Sequence, residues 1–221
     1  MIVYTHIAKT AGTTMLHWLE GQCKTYHLQR WWMSKWLVPE DTECLFSHCP
    51  YGLPDRYVPG DHQYVTFLRN PIDRIVSNYF HVVNNPNNLL LPGYTSMPFD
   101  ELIKGEIFAT FDNGITRIIS GRPDMGNLPP KSPATREDLE KAKANIATFA
   151  MVGFVETFNW DLARLAAKFG WSDLSYTWYR KGSRPKLTSI KPEILQQIAQ
   201  YNQLDIELVE HAKKIWHPWV E

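Results

Sequence analysis

The sequence lacks the features that mark several large classes of protein. Its 221 residues include only three cysteines, Cys23, Cys44 and Cys49, and no C-x-x-C pair. This count predicts neither a disulfide framework nor a cysteine metal site, and it favours a reducing compartment. No apolar run approaches the length of a membrane-spanning helix, and no signal peptide precedes the first predicted strand. We therefore expect a cytoplasmic protein without a transmembrane segment, or a chain from which an N-terminal anchor has been removed.

The chain also lacks an excess of charge of either sign. Lysine plus arginine number 23, as do aspartate plus glutamate, so the formal net charge is zero. A protein that binds nucleic acid through its overall charge is strongly basic, so this balance argues against nucleic acid as a partner. The length suits one α/β domain, residues 1–221, with a sizeable core.

Residues 6–14, His-Ile-Ala-Lys-Thr-Ala-Gly-Thr-Thr, form the most informative stretch. They lie between an apolar run that predicts a buried strand, residues 1–5, and the first turns of a predicted helix, residues 15–20. Such a loop presents unpaired backbone N–H groups and the positive end of the helix dipole to an anion. Gly12 would let the backbone approach that anion, and Lys9 would add a point charge. The stretch predicts a phosphate site; the alternative is an ordinary strand–turn–helix with a surface lysine.

A second motif occupies residues 64–80. Its first five residues predict a strand, and Asn70 with Pro71 predicts the cap and first position of a helix. Arg69 ends the strand, and Ser77 follows eight positions later on the helix. Both could reach an anion above the carboxyl ends of a parallel sheet, where ligands of open α/β sheets bind. The alternatives are a surface salt bridge for Arg69 and an ordinary helix position for Ser77.

Together the two motifs resemble those of sulfotransferases that use 3′-phosphoadenosine 5′-phosphosulfate (PAPS). The loop is not a Walker A motif, because its lysine precedes its only glycine. It resembles the sulfotransferase 5′-phosphosulfate loop, and Arg69 with Ser77 resembles the 3′-phosphate motif. The resemblance implies that the 5′-phosphosulfate is held by Lys9, Thr10, Ala11, Gly12, Thr13 and Thr14. It further implies that Arg69 and Ser77 bind the 3′-phosphate.

A histidine follows another predicted strand, residues 44–47. His48 should lie at the same edge of the sheet as Lys9 and Arg69. The segment from Ser47 to Pro50 resembles the setting of the catalytic histidine in sulfotransferases, which implies that His48 is the general base. We prefer it over the other nearby histidines, which are His6, His62 and His81. The resemblance also implies that Lys9 neutralises charge on the leaving nucleotide.

Two further segments resemble less specific features of this family. Residues 113–121 resemble a segment of the glycan-type enzymes, including the heparan 2-O group, so Arg117 could face an anionic acceptor or the cofactor; a structural salt bridge is the alternative. The basic segment resembles a loop that closes over the 3′-phosphate, and a solvated loop is its alternative. Its residues are Arg180, Lys181, Ser183 and Arg184. Met15 replaces the tryptophan that stacks on adenine in cytosolic sulfotransferases, which favours the glycan-type branch and leaves the adenine partner open.

The predicted elements alternate between strands and helices, which is typical of an α/β fold. Beyond those above, we predict a strand at residues 151–156 and helices at residues 135–149, 159–169 and 192–216. The expected architecture is a single domain, a parallel sheet flanked by helices, with a P-loop-like nucleotide site.

The resulting prediction is a sulfotransferase that moves the sulfuryl group of PAPS to an acceptor hydroxyl. A saccharide is the preferred acceptor, and the reaction requires no metal. One rival is a nucleotide kinase-like phosphotransferase, which would need a magnesium-binding carboxylate that residues 6–14 lack. The other is a non-catalytic module that binds a nucleotide or glycan, against which the position of His48 argues. The sequence leaves the oligomeric state open.

Overall fold

The core of the fold is a parallel sheet with the strand order β2-β3-β1-β4-β5. The computed structural model describes residues 1–29, 36–84, 98–102, 109–122, 132–179 and 184–218. Within them the strands are β1 (Ile2–Thr5), β2 (Tyr26–Gln29), β3 (Cys44–Ser47), β4 (Gln63–Leu68) and β5 (Met151–Phe154). All four strand pairings are parallel, so the described strands end at one common edge. The predicted fold class, an α/β sheet flanked by helices, is confirmed.

Helices cover both faces of this sheet. They are α1 (Gly12–Gln22), α2 (Pro71–Val83), α3 (Phe99–Leu102), α4 (Gly114–Ser120), α5 (Arg136–Ala147), α6 (Phe158–Phe169), α7 (Pro192–Tyr201) and α8 (Gln203–Trp216). Successive strand residues point to opposite faces, so Val3 packs with α4, α5 and α8, whereas Tyr4 packs with α1 and α6. None of the helices in the described ranges is long and apolar enough to cross a membrane.

Most predicted elements are present, but the structure has one additional strand and divides one predicted helix. Strand β2 was not predicted from the sequence. The helix predicted over residues 192–216 is two helices, because the chain bends at Asn202, which has φ −126°. The Asn202 side chain is fully buried; it accepts a hydrogen bond from the backbone N–H of Asn113 at 3.2 Å and donates to the carbonyl of Ile198 at 3.0 Å. A buried amide that is satisfied in this way fixes the bend.

The cysteines also differ from the expectation. Cys23, just after α1, forms a disulfide with Cys44 at the start of β3, while Cys49 is a buried free thiol. The two partners are 21 residues apart and meet because the end of α1 returns to the amino edge of the sheet, where β3 begins. This disulfide was not predicted from the cysteine count, and the reducing compartment stays a prediction.

A buried ion pair fixes the position of α2, the helix that follows Arg69. Arg74 on α2 and Asp205 on α8 are both fully buried, and their charged groups lie 3.2 Å apart. Asp205 also accepts hydrogen bonds from the backbone N–H groups of Ile115 and Thr116, at 3.0 and 2.7 Å. Three helices thus meet on one carboxylate. A buried pair specifies geometry because its groups lose partners if the helices shift.

Candidate functional site

The predicted site residues lie at the carboxyl edge of the sheet. Thr5, the last residue of β1, is in register with Ser47, the last residue of β3. On the other side of β1, strand β4 extends slightly further and ends at Leu68. His48, Arg69 and the loop that contains Lys9 therefore leave three adjacent strands in the same direction. The topology brings together residues that lie far apart in the sequence.

The loop between β1 and α1 has an unusual backbone. Lys9 and Ala11 have φ angles of 73° and 63°, in the left-handed region that residues with a side chain seldom occupy. Ala11 immediately precedes α1, and no side chain among the described residues caps the N-terminus of that helix. The loop thus holds two costly conformations next to helix N–H groups that lack a side-chain acceptor. A bound anion would find the positive end of the helix dipole there.

Two threonine hydroxyls of this loop already have partners within the protein. The Thr10 hydroxyl is buried and donates to the carbonyl of Ile7 at 2.8 Å. The Thr14 hydroxyl accepts from the backbone N–H of Tyr179 at 3.2 Å. The Thr10 proton therefore stabilises the turn, whereas Thr13 is more exposed. An anion bound in this loop would therefore find the backbone N–H groups, Lys9 and Thr13 as its nearest candidate donors.

Arg69 joins the two sequence motifs directly. Its Nη1 donates to the carbonyl of Lys9 at 3.1 Å, so it holds the loop in its left-handed conformation. Its Nε donates to the carboxylate of Asp73 at 2.8 Å, and its Nη2 contacts the same oxygen. Arg69 can hold the loop and remain a candidate anion ligand, because a guanidinium has five N–H groups and these contacts do not use all of them.

Asp73 lies between two arginines that were both predicted to bind the 3′-phosphate. Its second oxygen is 2.6 Å from Nη1 of Arg184. Ser77 lies one helical turn further along α2, on the same face as Asp73. The guanidinium groups of Arg69 and Arg184 and the hydroxyl of Ser77 therefore lie on one side of α2. Asp73 fixes the positions of both guanidinium groups and neutralises part of their charge.

His48 is paired with a second histidine. Its Nδ1 is 3.0 Å from Nδ1 of His6, and the two rings meet edge to face with their centroids 4.3 Å apart. His6 follows β1 as His48 follows β3, so the pairing of these strands brings the two rings together. Phe46 packs against both rings, at 5.1 and 5.6 Å. The pair lies in a partly apolar environment on the same edge of the sheet as Lys9.

His6 is held neutral. Burial lowers its pKa well below the usual 6.5, and the charges of His48 and Lys9 lower the pKa further. Its ring also lies directly on the first residue of α1, since a Cβ on Gly12 would overlap the imidazole. Glycine at this position therefore makes room for His6, in addition to the predicted close approach of a ligand.

The remaining predicted site residues are Arg117 and three residues of the basic segment. Arg117 is fully buried, donates to the backbone carbonyls of Asp112 and Ser132 at 2.7 and 2.9 Å, and forms an ion pair with the Asp112 carboxylate. These contacts favour the structural alternative for Arg117 over contact with an acceptor. Arg180, Lys181 and Ser183 lie outside the described residues.

Three features of this site were not predicted from the sequence. His6 was considered only as a rival base, because its contact with His48 depends on which strands are neighbours. The bridging role of Asp73 could have been found from its spacing of four residues from Arg69, which suits an ion pair across one helical turn. The contact between Tyr179 and Thr14 spans 165 residues and has no local signal.

Comparisons with known proteins identify the family and the fold. The sequence profile described as "Sulfotransferase family" matches residues 1–210. The chain belongs to the sulfotransferase family. The crystal structure of a sulfotransferase from Alicyclobacillus acidocaldarius resembles this sulfotransferase with a TM-score of 0.50 and 15% identity, over 97% of this chain and 95% of that one. At that identity the similarity supports a shared fold. No curated protein sequence matches the chain significantly.

The neutral state of His6 predicts how stability depends on pH. In the unfolded chain a histidine gains its proton near pH 6.5, whereas folded His6 resists protonation. Below about pH 6.5 the unfolded state therefore binds more protons, and the free energy of unfolding falls by up to about 1.4 kcal/mol per pH unit. His6→Asn should reduce this slope in urea unfolding between pH 7.5 and 5.5. The matched control is His17→Asn, at an exposed histidine, and His6→Asn should reduce the slope more than this control does. A His6→Asn protein with the full wild-type slope would contradict the assignment.

Proposed function

We propose that this sulfotransferase moves the sulfuryl group of PAPS to a hydroxyl of an acceptor, and that the acceptor is a saccharide. The observation that carries the proposal is that the two segments proposed to bind anions are joined by a hydrogen bond at one edge of the sheet. Arg69 bonds to the Lys9 carbonyl, and the His6–His48 pair follows the two neighbouring strands. A donor with a phosphosulfate at one end and a separate phosphate at the other matches two such sites. Family membership supports the transfer of a sulfuryl group in general terms.

The residues present fit the two charged ends of PAPS. The N-terminus of α1 and the Lys9 side chain would hold the 5′-phosphosulfate. Arg69 and Ser77 would hold the 3′-phosphate, with Arg184 beside them through Asp73. Arg180, Lys181 and Ser183 belong to the same basic segment as Arg184 and complete the proposed set. Hydrogen bonds between a guanidinium and a phosphate are charge-assisted and stronger than neutral ones.

The proposed chemistry needs alignment and charge stabilisation more than a covalent intermediate. PAPS supplies an activated sulfuryl group on a good leaving group. His48 would accept the proton of the acceptor hydroxyl as that oxygen bonds to sulfur. The Lys9 ammonium would stabilise the negative charge that develops on the bridging oxygen as its bond to sulfur breaks. The products are a sulfate ester, 3′-phosphoadenosine 5′-phosphate (PAP) and the proton held by His48.

The choice of a saccharide rests on the sequence resemblance and on aromatic side chains beside the loop. The hydrogen bond from Tyr179 to Thr14 brings residues 171–179 along α1. Trp178 and Tyr179 are about two-fifths exposed, at 39% and 43%. Exposed aromatic rings offer an apolar face and a polar edge, which suits a sugar ring or the adenine base. Met15 is fully buried in the core, so adenine must find its partner elsewhere.

The first test is transfer of labelled sulfate from PAPS to a panel of acceptors: heparosan, chondroitin, aryl glycosides, a simple phenol and a hydroxysteroid. We expect sulfate esters on a saccharide. His48→Ala should bind PAP as the wild type does yet lose about 10²–10⁴-fold in turnover, as is usual for loss of a general base. His81→Ala, at an exposed position on α2, is the matched control and should keep its rate. If the wild type transfers no sulfate to any acceptor, the proposed function is wrong; if only the phenol or the steroid reacts, the saccharide assignment is wrong.

Variants of Lys9 can distinguish an effect on donor binding from an effect on the chemical step. An interaction that strengthens in the transition state affects kcat more than ground-state affinity. Lys9→Ala should therefore depress kcat at saturating PAPS far more than it raises the Kd for PAP. Lys9→Arg should restore only part of the rate, because a guanidinium fork does not replace a compact ammonium. Single-turnover kinetics measures the chemical step directly. A chemical rate near that of the wild type in Lys9→Ala would limit Lys9 to anchoring the phosphate.

A further inference from the structure

The position of one proton in the His6–His48 pair decides which nitrogen of His48 can accept a proton from a substrate. Two Nδ1 atoms 3.0 Å apart share one proton between them. If His48 carries that proton, its Nε2 has a lone pair and can accept a proton from a substrate. If His6 carries it, a neutral His48 must hold its own proton on Nε2, where it blocks that role. The partner of a histidine therefore sets its tautomer.

The surroundings of His6 suit an acceptor that stays neutral. Its ring contacts Phe46, its Nε2 edge lies against Gly12, and the Lys9 charge acts on it. A proton that arrives at the pair is therefore held by His48, since a second positive charge on His6 would be buried beside Lys9. Tyr4 stacks on Phe46 with the ring centroids 4.9 Å apart and adds to the apolar wall.

We propose that His6 is a positioning residue: its Nδ1 accepts the Nδ1–H of His48 and thereby keeps Nε2 of His48 unprotonated for the acceptor hydroxyl. The inference rests on the proposed function of His48 as base. When His48 takes the proton, it becomes an imidazolium whose Nδ1–H still donates to His6. That hydrogen bond is then charge-assisted and stabilises the state that forms during transfer.

A neutral partner has a physical advantage at this position. In many enzymes a carboxylate orients the catalytic histidine and stabilises its charged form. Here the proposed donor carries negative charge on phosphate and sulfate, so a carboxylate beside His48 would repel it. A neutral imidazole supplies the same hydrogen-bond acceptor without that repulsion.

The most direct test is the tautomer of His48 in the unmodified protein. Nitrogen NMR of histidine-labelled protein distinguishes a protonated ring nitrogen from one with a lone pair, and the His48 signals are assigned by their loss in His48→Ala. With PAP bound at pH 7.5, we expect the proton of His48 on Nδ1 and the lone pair on Nε2. The proton of neutral His48 on Nε2 would overturn the inference. This measurement needs no turnover, so it is independent of the proposed function. The tautomer can prove wrong although sulfuryl transfer is demonstrated, and it can prove right although no transfer is found.

Two variants separate hydrogen bonding from packing. His6→Asn places an amide oxygen near the position of Nδ1, whereas His6→Leu fills similar space without an acceptor. With PAPS and the best acceptor of the panel above, His6→Leu should lose at least tenfold in kcat while its Kd for PAP changes less than twofold. His6→Asn should recover most of that loss. Equal rates in the two variants would reduce His6 to a packing role and contradict the proposal; if His6→Leu does not fold, the tautomer measurement decides.

Discussion

The hydrogen bond from Arg69 to the carbonyl of Lys9 is the contact on which the candidate site depends. It connects the end of β4 to the loop after β1, and it holds the backbone at Lys9 in a left-handed conformation with φ 73°. Left-handed conformations are costly for residues with a side chain, so a hydrogen bond to this carbonyl helps to hold the loop in place. The same guanidinium is clamped by Asp73 on α2. One side chain thus sets the relative positions of both proposed phosphate sites.

Charge is distributed at this edge in a way that suits a polyanion. Lys9, Arg69 and Arg184 supply three cations, and Asp73 is the carboxylate that orders two of them. The histidine pair adds no negative charge, and burial keeps His6 neutral. Net positive charge therefore remains where the donor would bind, while the protein as a whole has a formal charge of zero. A local excess of this kind attracts an anion without making the chain a general binder of nucleic acid.

The sequence predicted the parts of the structure that depend on local pattern. Apolar runs gave four of the strands, and Thr135 with Asp138 gave the capping box of α5. Features that depend on tertiary contacts were not predicted. The bend at Asn202 arises from a hydrogen bond with Asn113, 89 residues away. The disulfide, the burial of Arg117 and the His6–His48 contact each depend on which elements are neighbours in space. A single sequence contains little information about such neighbours.

The arrangement also explains why the donor, more than the acceptor, can be proposed from this chain. The groups assigned to the donor lie on strand ends and helix starts, whose positions are set by the sheet and by the buried Arg74–Asp205 pair.

The central claim is that Arg69 and Ser77 form a separate site for a 3′-phosphate. It is tested most directly by calorimetric titration of the protein with PAP and with adenosine 5′-monophosphate, which differ only in that phosphate. We expect PAP to bind at least about tenfold more tightly, since charge-assisted hydrogen bonds contribute about 1.5–3 kcal/mol. Equal affinities for the two nucleotides would contradict it.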